Sequence, residues 1–147
     1  MRGFEVAKGY EKASVSLPER GTSLSAGYDF SILETLTLEP GEIALAKTGV
    51  KAFMQPSEVL KLYPRSSLPR KFGVTIPNNV GIIDADYYGN KDNDGAIFIQ
   101  LYNFRDAPCT IEAGTKIAQG IFETFLRIPN ETPNHRVRSG GFGSTDR

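Results

Sequence analysis

No stretch of this chain sustains a 3.6-residue apolar period. What recurs instead are short runs rich in β-branched and aromatic residues, cut apart by glycine, proline and asparagine. The candidate strands are residues 35–38, 42–47, 59–63, 96–103 and 116–126. Ala96-Ile97-Phe98-Ile99-Gln100-Leu101-Tyr102 is almost wholly apolar, which predicts a strand covered on both faces. Only residues 56–59 hint at a helical turn. Many short strands with turn signals between them predict an all-β sandwich or barrel. Asn90-Lys91-Asp92-Asn93-Asp94-Gly95 reads as a hairpin loop by its turn residues, and without EF-hand spacing its carboxylates are assigned to solvent rather than calcium. Neither a repeat nor a domain boundary precedes the C-terminal tail. The expected organisation is one β domain over residues 1–129, then a linker and tail over 130–147.

At 147 residues the chain is long enough to bury roughly two thirds of its unfolded surface. Lysine and arginine number 17 and aspartate and glutamate 17, so no global field draws the protein to nucleic acid or a membrane. Any anion site must gather its cations locally. The single cysteine, Cys109, excludes an internal disulfide and the usual cysteine-rich zinc sites. The single histidine, His135, has no serine or cysteine nucleophile signature around it and reads as a surface residue. No apolar run reaches transmembrane length and the N-terminus carries no signal-peptide pattern, so the expected compartment is the reducing cytoplasm.

Five stretches carry candidate chemistry. In Ser25-Ala26-Gly27-Tyr28-Asp29 a carboxylate follows a tight turn; magnesium takes one or two carboxylates plus phosphates and retained waters, so Asp29 suits a metal–phosphate complex held through water. Pro64-Arg65-Ser66-Ser67 places an arginine fork and two hydroxyls after a strand, a set suited to phosphate oxygens. In Gly81-Ile82-Ile83-Asp84-Ala85-Asp86-Tyr87-Tyr88-Gly89, Asp84 follows an apolar pair, which predicts a carboxylate at a strand end beside poorly solvated surface, able to orient a water or take its proton. Tyr87 offers a flat face to a sugar. Gly114-Thr115-Lys116-Ile117-Ala118-Gln119 adds a cation and an amide at the start of a strand. The tail, Arg138-Ser139-Gly140-Gly141-Phe142-Gly143-Ser144-Thr145, combines an arginine, a ring that can stack and glycine amides that can cradle an anion. Glycine loses the most entropy on ordering, so such a tail is expected to be mobile until a ligand fixes it. Each stretch alone also fits an ordinary turn or solvated linker.

Taken in this order, the five resemble the five motifs of the trimeric dUTP diphosphatases (dUTPases). Ala26 to Asp29 resembles the first, Pro64 to Ser67 the second, Gly81 to Gly89 the third, Gly114 to Gln119 the fourth and the tail the fifth, with Leu17-Pro18 and Thr22 fitting the approach to the first. The resemblance implies an all-β, jelly-roll-like (β-clip) subunit forming a homotrimer, with active sites at subunit interfaces and a flexible C-terminal arm closing over a neighbour's site. It also implies Mg²⁺-dependent hydrolysis of dUTP to dUMP and pyrophosphate by water attack on the α-phosphorus, which limits uracil incorporation into DNA and supplies dUMP for dTMP synthesis.

The residue roles it implies agree with the chemistry above. Asp84 would orient the attacking water, and Tyr87 would pack on the deoxyribose and reject a 2′-hydroxyl. Backbone near Asn78, Gly81, Ile82 and Ile83 would read the uracil edge; a cytosine would leave buried groups unpaired there. Arg65, Ser66, Ser67, Lys116 and Gln119 would bind the triphosphate. Asp29 would hold waters of the magnesium ion. Arg138, Phe142, Gly143 and Ser144 would close from the arm, Phe142 stacking on uracil.

Two features depart from the family pattern. Arginine usually stands five residues before the tail phenylalanine; here that slot is Val137, flanked by Arg136 and Arg138, which leaves open which of the two meets the γ-phosphate. Lys116 stands where arginine is usual, keeping the charge and losing the bidentate fork. The related dCTP deaminases carry a catalytic glutamate at the position of Gln100, and an amide cannot serve as that base. A reading of another class is a binding module whose dUTP-dependent arm controls contact with a regulatory protein partner. Its mark would be loss of Asp84 or of the arm, and neither is lost.

Overall fold

The fold was described from a computed structural model, which describes residues 1–141; Phe142, Gly143 and Ser144 of the tail motif lie outside the described residues. Twelve strands run in chain order: β1 Gly3–Val6, β2 Glu19–Arg20, β3 Tyr28–Ser31, β4 Leu36–Leu38, β5 Ile43–Lys47, β6 Val50–Phe53, β7 Glu58–Pro64, β8 Val74–Thr75, β9 Gly81–Asp84, β10 Phe98–Asn103, β11 Cys109–Ile111 and β12 Lys116–Thr124. Every pairing among them is antiparallel. The largest sheet runs β2-β3-β12-β7-β9; a second runs β5-β10-β8, and two pairs, β1-β6 and β4-β11, close the remaining sides. All five sequence-predicted strands form, within a residue or two at most ends. No helix among the described residues is long and apolar enough to cross a membrane.

The core lies between the sheets. Phe30, Ile32, Leu38, Leu60, Leu68, Ile97, Leu101, Ile111 and Ile117 are buried completely or nearly so. Phe30 also joins an aromatic group in which Phe4 packs edge-on against Phe30 and Tyr28 and tilts over Phe122, with ring centroids 5.3–5.5 Å apart. Close packing of this kind fixes the register of β3 and β12, whose residues supply part of the site.

Three local expectations are corrected. Residues 56–59 form no helical turn: the amide of Glu58 donates to the Gln55 carbonyl at 2.9 Å in a reverse turn, and β7 starts at once. The helical turns are Leu68–Phe72, begun by Pro69 and ended at Gly73 with φ of 66°, and Ala85–Tyr87. Residues 90–95 do not close a hairpin, because β9 pairs with β7 whereas β10 pairs with β5 and β8; the loop carries the chain from one sheet to the other. Nor is β10 covered equally on its two faces. Ile99, Leu101 and Asn103 are buried, whereas Phe98, Gln100 and Tyr102 are only half buried, so the apolar run conceals a two-residue alternation.

The crossover loop is tied down by charge. Asp94 Oδ2 accepts from Lys51 Nζ at 2.7 Å and from the Lys8 amide at 2.9 Å, and the Lys51 hydrogen bond holds the Asp94 carboxyl below its usual range. Because the folded pKa is depressed, the stabilisation is present above the ordinary carboxylate pKa and is lost as the pH falls through the folded value. Asp94→Asn is expected to cost about 1 kcal/mol at neutral pH, with the gap to wild type closing in acid, as measured by thermal melting at the two pH values.

Candidate active site

The site residues fall into two groups, each built by its own strands. The first surrounds a cleft of about 400 Å³ between the two larger sheets. Its walls are the backbone and side chains of residues 80–84, Asn78 in the preceding turn, Leu62 of β7, Phe98, Ile99 and Gln100 of β10, Tyr87, and Arg138 with Gly141 from the C-terminal segment. Asn79 has φ of 67° in that turn, and the Val80 amide donates to the Asn78 carbonyl at 2.8 Å. As the last strand of its sheet, β9 keeps one edge of backbone donors and acceptors unpaired by any strand.

Asp84 ends β9, as the sequence predicts, but its surroundings are not poorly solvated: half of its side chain is exposed. The cause is strand alternation. Ile83 turns into the core, and Asp84 turns outward on the same side as the exposed Ile82. Tyr87 is buried, with its hydroxyl donating to the Ala96 carbonyl at 2.7 Å and accepting from Asn93 Nδ2 at 2.9 Å. Burial pushes its phenol above the ordinary value. Asn93 Oδ1 accepts in turn from Asn90 Nδ2 at 3.0 Å. Gly95 completes this support: its φ is 84°, and a Cβ there would lie 2.5 Å from the Tyr87 carbonyl oxygen. The crossover loop thus serves as the bed of the Tyr87 ring.

The C-terminal segment returns to this cleft. Residues 128–137 are exposed, His135 and Arg136 included, and then Arg138 turns in. Its Nη2 donates to Asp84 at 2.6 Å, its Nε to Asp86 at 2.7 Å and its Nη1 to the Gly140 carbonyl at 3.0 Å. Gly141 passes so near the Tyr87 ring that a Cβ would lie 3.0 Å from Cε1. Of the two arginines left open by the sequence, Arg138 faces the cleft. Within the chain its three donor nitrogens meet three acceptors, Asp84, Asp86 and the Gly140 carbonyl.

The second group lies on β3, β7 and β12. Gln119 stands directly opposite Asp29 on one side and Tyr63 on the other, so all three side chains share a face. Asp29 is largely buried between two cations, Arg65 at 3.6 Å and Lys116 at 3.9 Å. Gly27 is needed there, since a Cβ would lie 2.6 Å from Gln119 Oε1. Ser66 and Ser67 follow Arg65 as β7 gives way to the helical turn, and neither hydroxyl is engaged among the described residues. No hydrogen bond or ion pair joins this group to the cleft group among the described residues, and none of its members lines the cleft.

Sequence reasoning missed Asp86, Phe98 and Gly141 as parts of the site. Nothing local marks Phe98, whose alternation the apolar run conceals, and nothing local marks Asp86 as the second carboxylate on Arg138. Among the described residues no three metal-ligating side chains converge.

A cleft of nucleoside size edged by a carboxylate and an arginine, beside a separate cluster of cations and free hydroxyls, defines an all-β protein of the nucleotide-handling class. The particular family follows from comparison: the chain belongs to the dUTPase family, whose sequence profile matches residues 13–146. It is 49% identical over 99% of its length to the deoxyuridine 5′-triphosphate nucleotidohydrolase of Lactococcus lactis subsp. lactis, covering 97% of that protein. It is 38% identical over 94% of its length to the Rickettsia felis protein of the same description, covering 93% of it. Among solved structures it superposes on dUTPase from Streptococcus mutans with a TM-score of 0.81 at 44% identity, over 87% of this chain and 99% of that one. A staphylococcal bacteriophage 80alpha dUTPase mutant, solved with dUpNHpp, shares the fold at 24% identity and a TM-score of 0.72, over 97% of this chain and 93% of that one.

Tyr87→Phe keeps the ring but strips the Ala96 carbonyl and the Asn93 amide of a buried partner. It should lower the unfolding free energy by about 1–3 kcal/mol, measured by urea titration.

Proposed function

We propose that this chain is a Mg²⁺-dependent dUTP diphosphatase acting as a homotrimer in the cytoplasm. The observation that carries the reading is the Asp84 carboxylate at the mouth of a nucleoside-sized cleft, facing an arginine delivered by the C-terminal segment. The relatives' description as deoxyuridine 5′-triphosphate nucleotidohydrolases points to the same chemistry.

In this reading, uracil enters the cleft against the free edge of β9 and the Asn78 turn. Backbone from Asn78 to Ile83 supplies a fixed pattern of donors and acceptors, which a cytosine would leave partly unpaired. Tyr87, held rigid by its two hydrogen bonds, packs on the deoxyribose and closes the space a 2′-hydroxyl would need. The triphosphate lies across Arg65, Ser66, Ser67, Lys116 and Gln119, where charge-assisted donors meet its oxygens. Arg138, Phe142, Gly143 and Ser144 close from the arm, with Arg138 on the γ-phosphate.

Asp84 orients a water for attack on the α-phosphorus and accepts its proton. The bond from that phosphorus to the bridging oxygen breaks, releasing dUMP and pyrophosphate. A positioned base contributes about 10²–10⁴-fold, and the remainder comes from charge stabilisation and positioning. Arg138 must release Asp84 for this step, so a triphosphate that draws the guanidinium away also frees the base.

Asp29 fits a magnesium ion held at one remove. Flanked by Arg65 and Lys116, and with no three ligating side chains converging on it among the described residues, it would accept hydrogen bonds from metal-bound waters rather than coordinate the ion itself. The metal supplies charge neutralisation on the triphosphate.

The split site supports assembly of more than one copy. One chain keeps the cleft group and the cation group apart, so a second copy presenting its β3, β7 and β12 face beside the cleft would complete a site. Exposed apolar side chains such as Ile43, Leu45, Ile82, Leu126 and Ile128 give such an assembly area to bury. Cys109, a free thiol that burial pushes above its ordinary pKa, suits a reducing cytoplasm.

Pyrophosphate release should occur from dUTP, with dCTP, dTTP and UTP inert, and should stop when Mg²⁺ is chelated. Asp84→Asn should reduce it by 10²-fold or more, on the order expected for a base, while dUTP binding measured by calorimetry is retained. Full turnover in that variant would remove Asp84 from the role. Truncation before Arg138 should cripple turnover while size-exclusion chromatography still shows the assembly; a dissociated product would make the arm structural instead.

A further inference from the structure

Gln100 sits on the wall of the cleft, and nothing in the reaction as set out above uses it. Alternation along β10 turns Ile99 and Leu101 into the core and leaves Phe98 and Gln100 on the cleft side, half buried. The Gln100 carboxamide makes no hydrogen bond among the described residues. It is a polar group withheld from bulk solvent on one side and left with its full hydrogen-bonding capacity. Such a group costs stability unless something else engages it.

Its place along the cleft says what that partner is. The Tyr87 hydroxyl is fixed to the Ala96 carbonyl, which marks the sugar end of the cleft on the same stretch of chain. Gln100 lies on β10, two residues beyond Phe98 on the same face, and lines the cleft together with Tyr87 and the β9 backbone. A nucleoside whose sugar rests on Tyr87 and whose base points toward β10 would bring the edge that carries its C4 substituent to Gln100. In uracil that substituent is a carbonyl oxygen, an acceptor that the amide N–H₂ can serve.

We propose that Gln100 is a base-recognition residue donating a hydrogen bond from its side-chain amide to the 4-oxo group of the pyrimidine, in addition to the backbone contacts along β9. The inference rests on the reading of the cleft as a uracil site. A carboxamide can turn over to accept from the 4-amino group of cytosine, so Gln100 adds affinity and leaves the choice of base to the rigid backbone edge. A carboxylate at this position could only accept. It would oppose the uracil oxygen and welcome the cytosine amino group, so a carboxylate here would tilt the cleft toward cytosine.

The test uses the full-length assembled protein. Gln100→Met keeps the length and removes the hydrogen bond; Gln100→Glu keeps the shape and reverses the donor. Steady-state pyrophosphate release from dUTP gives kcat and KM for wild type and both variants. For dCTP, kcat/KM is taken from the slope at high enzyme concentration, where even a residual turnover registers. Thermal melting confirms that each folds. Gln100→Met should raise KM for dUTP about five- to tenfold with kcat unchanged. Gln100→Glu should shift the ratio of kcat/KM for dUTP over dCTP toward dCTP by at least about tenfold. An unchanged KM in the first variant, or an unchanged ratio in the second, overturns the proposal, since a merely structural side chain would move both substrates alike. Absence of dUTP turnover in wild type would instead refute the uracil reading itself, whatever Gln100 does.

Discussion

The pairing of β12 along both of its edges is the interaction on which the rest of the molecule depends. Over nine residues this strand bonds to β3 on one side and β7 on the other, and so orders five strands as one sheet. Its small residues make this possible. Ala118 is fully buried, and at Gly120 a Cβ would lie 2.8 Å from Phe30 Cε1 and 3.0 Å from Leu60 Cδ1, so the cores of β3 and β7 close over the strand where a larger residue would hold them apart. The same register sets Gln119 against Asp29 and brings Arg65 to the end of the neighbouring strand. The phosphate-binding candidates are thereby placed by backbone pairing, which moves little, rather than by loops.

Electrostatics follow the same division. The chain carries no net charge, yet each half of the site holds its own imbalance. Around Asp29 two cations outnumber one carboxylate; around Arg138 two carboxylates outnumber one cation. Each cluster is left one charge short of neutrality, in opposite senses. In the proposed reading, a triphosphate would offset the first excess, and drawing Arg138 away would leave the second cluster with a free carboxylate for water activation. Neutrality of the whole is compatible with a polyanionic ligand because cations are gathered locally beside Asp29.

Much of the fold was legible because strand signals are local. The five predicted runs became strands since their β-branched and aromatic residues alternate toward one core, and Gly114 turns the chain just ahead of the last of them, as its type suggests. What was not legible is what depends on pairing between distant strands. Residues 90–95 have every mark of a hairpin loop, and only the partnership of β9 with β7, and of β10 with β5, shows that the chain crosses between sheets there. The apolar look of Ala96 to Tyr102 likewise hid that Phe98 and Gln100 face a cleft, because an apolar side chain lines a binding wall as readily as a core. In the site, the motif residues Asp84 and Tyr87 fall at one cleft and Arg65 and Gln119 on the β3–β7–β12 face, positions that local motif spacing alone does not reveal. Asp86 escaped because its partner, Arg138, stands 52 residues away in the chain.

The segment from Phe125 to Arg138 is built so that a one-residue departure from the family's arginine spacing could be absorbed. The Phe125 amide still bonds to the Ser57 carbonyl, after which residues 126–137 run exposed with few contacts of their own. A tether of that kind has slack, and a one-residue change in its length costs little closure entropy. What must be conserved physically is the arrival of a guanidinium where the carboxylates wait, and Arg138 arrives with every one of its donor nitrogens occupied. Lys116, on the rigid β12, has no such freedom: its ammonium lies at 3.9 Å from Asp29, a distance that supplies charge without the paired hydrogen bonds of an arginine. The exposed tether can therefore absorb a shift in sequence, whereas the rigid strand expresses its substitution directly in the geometry of the face around Asp29.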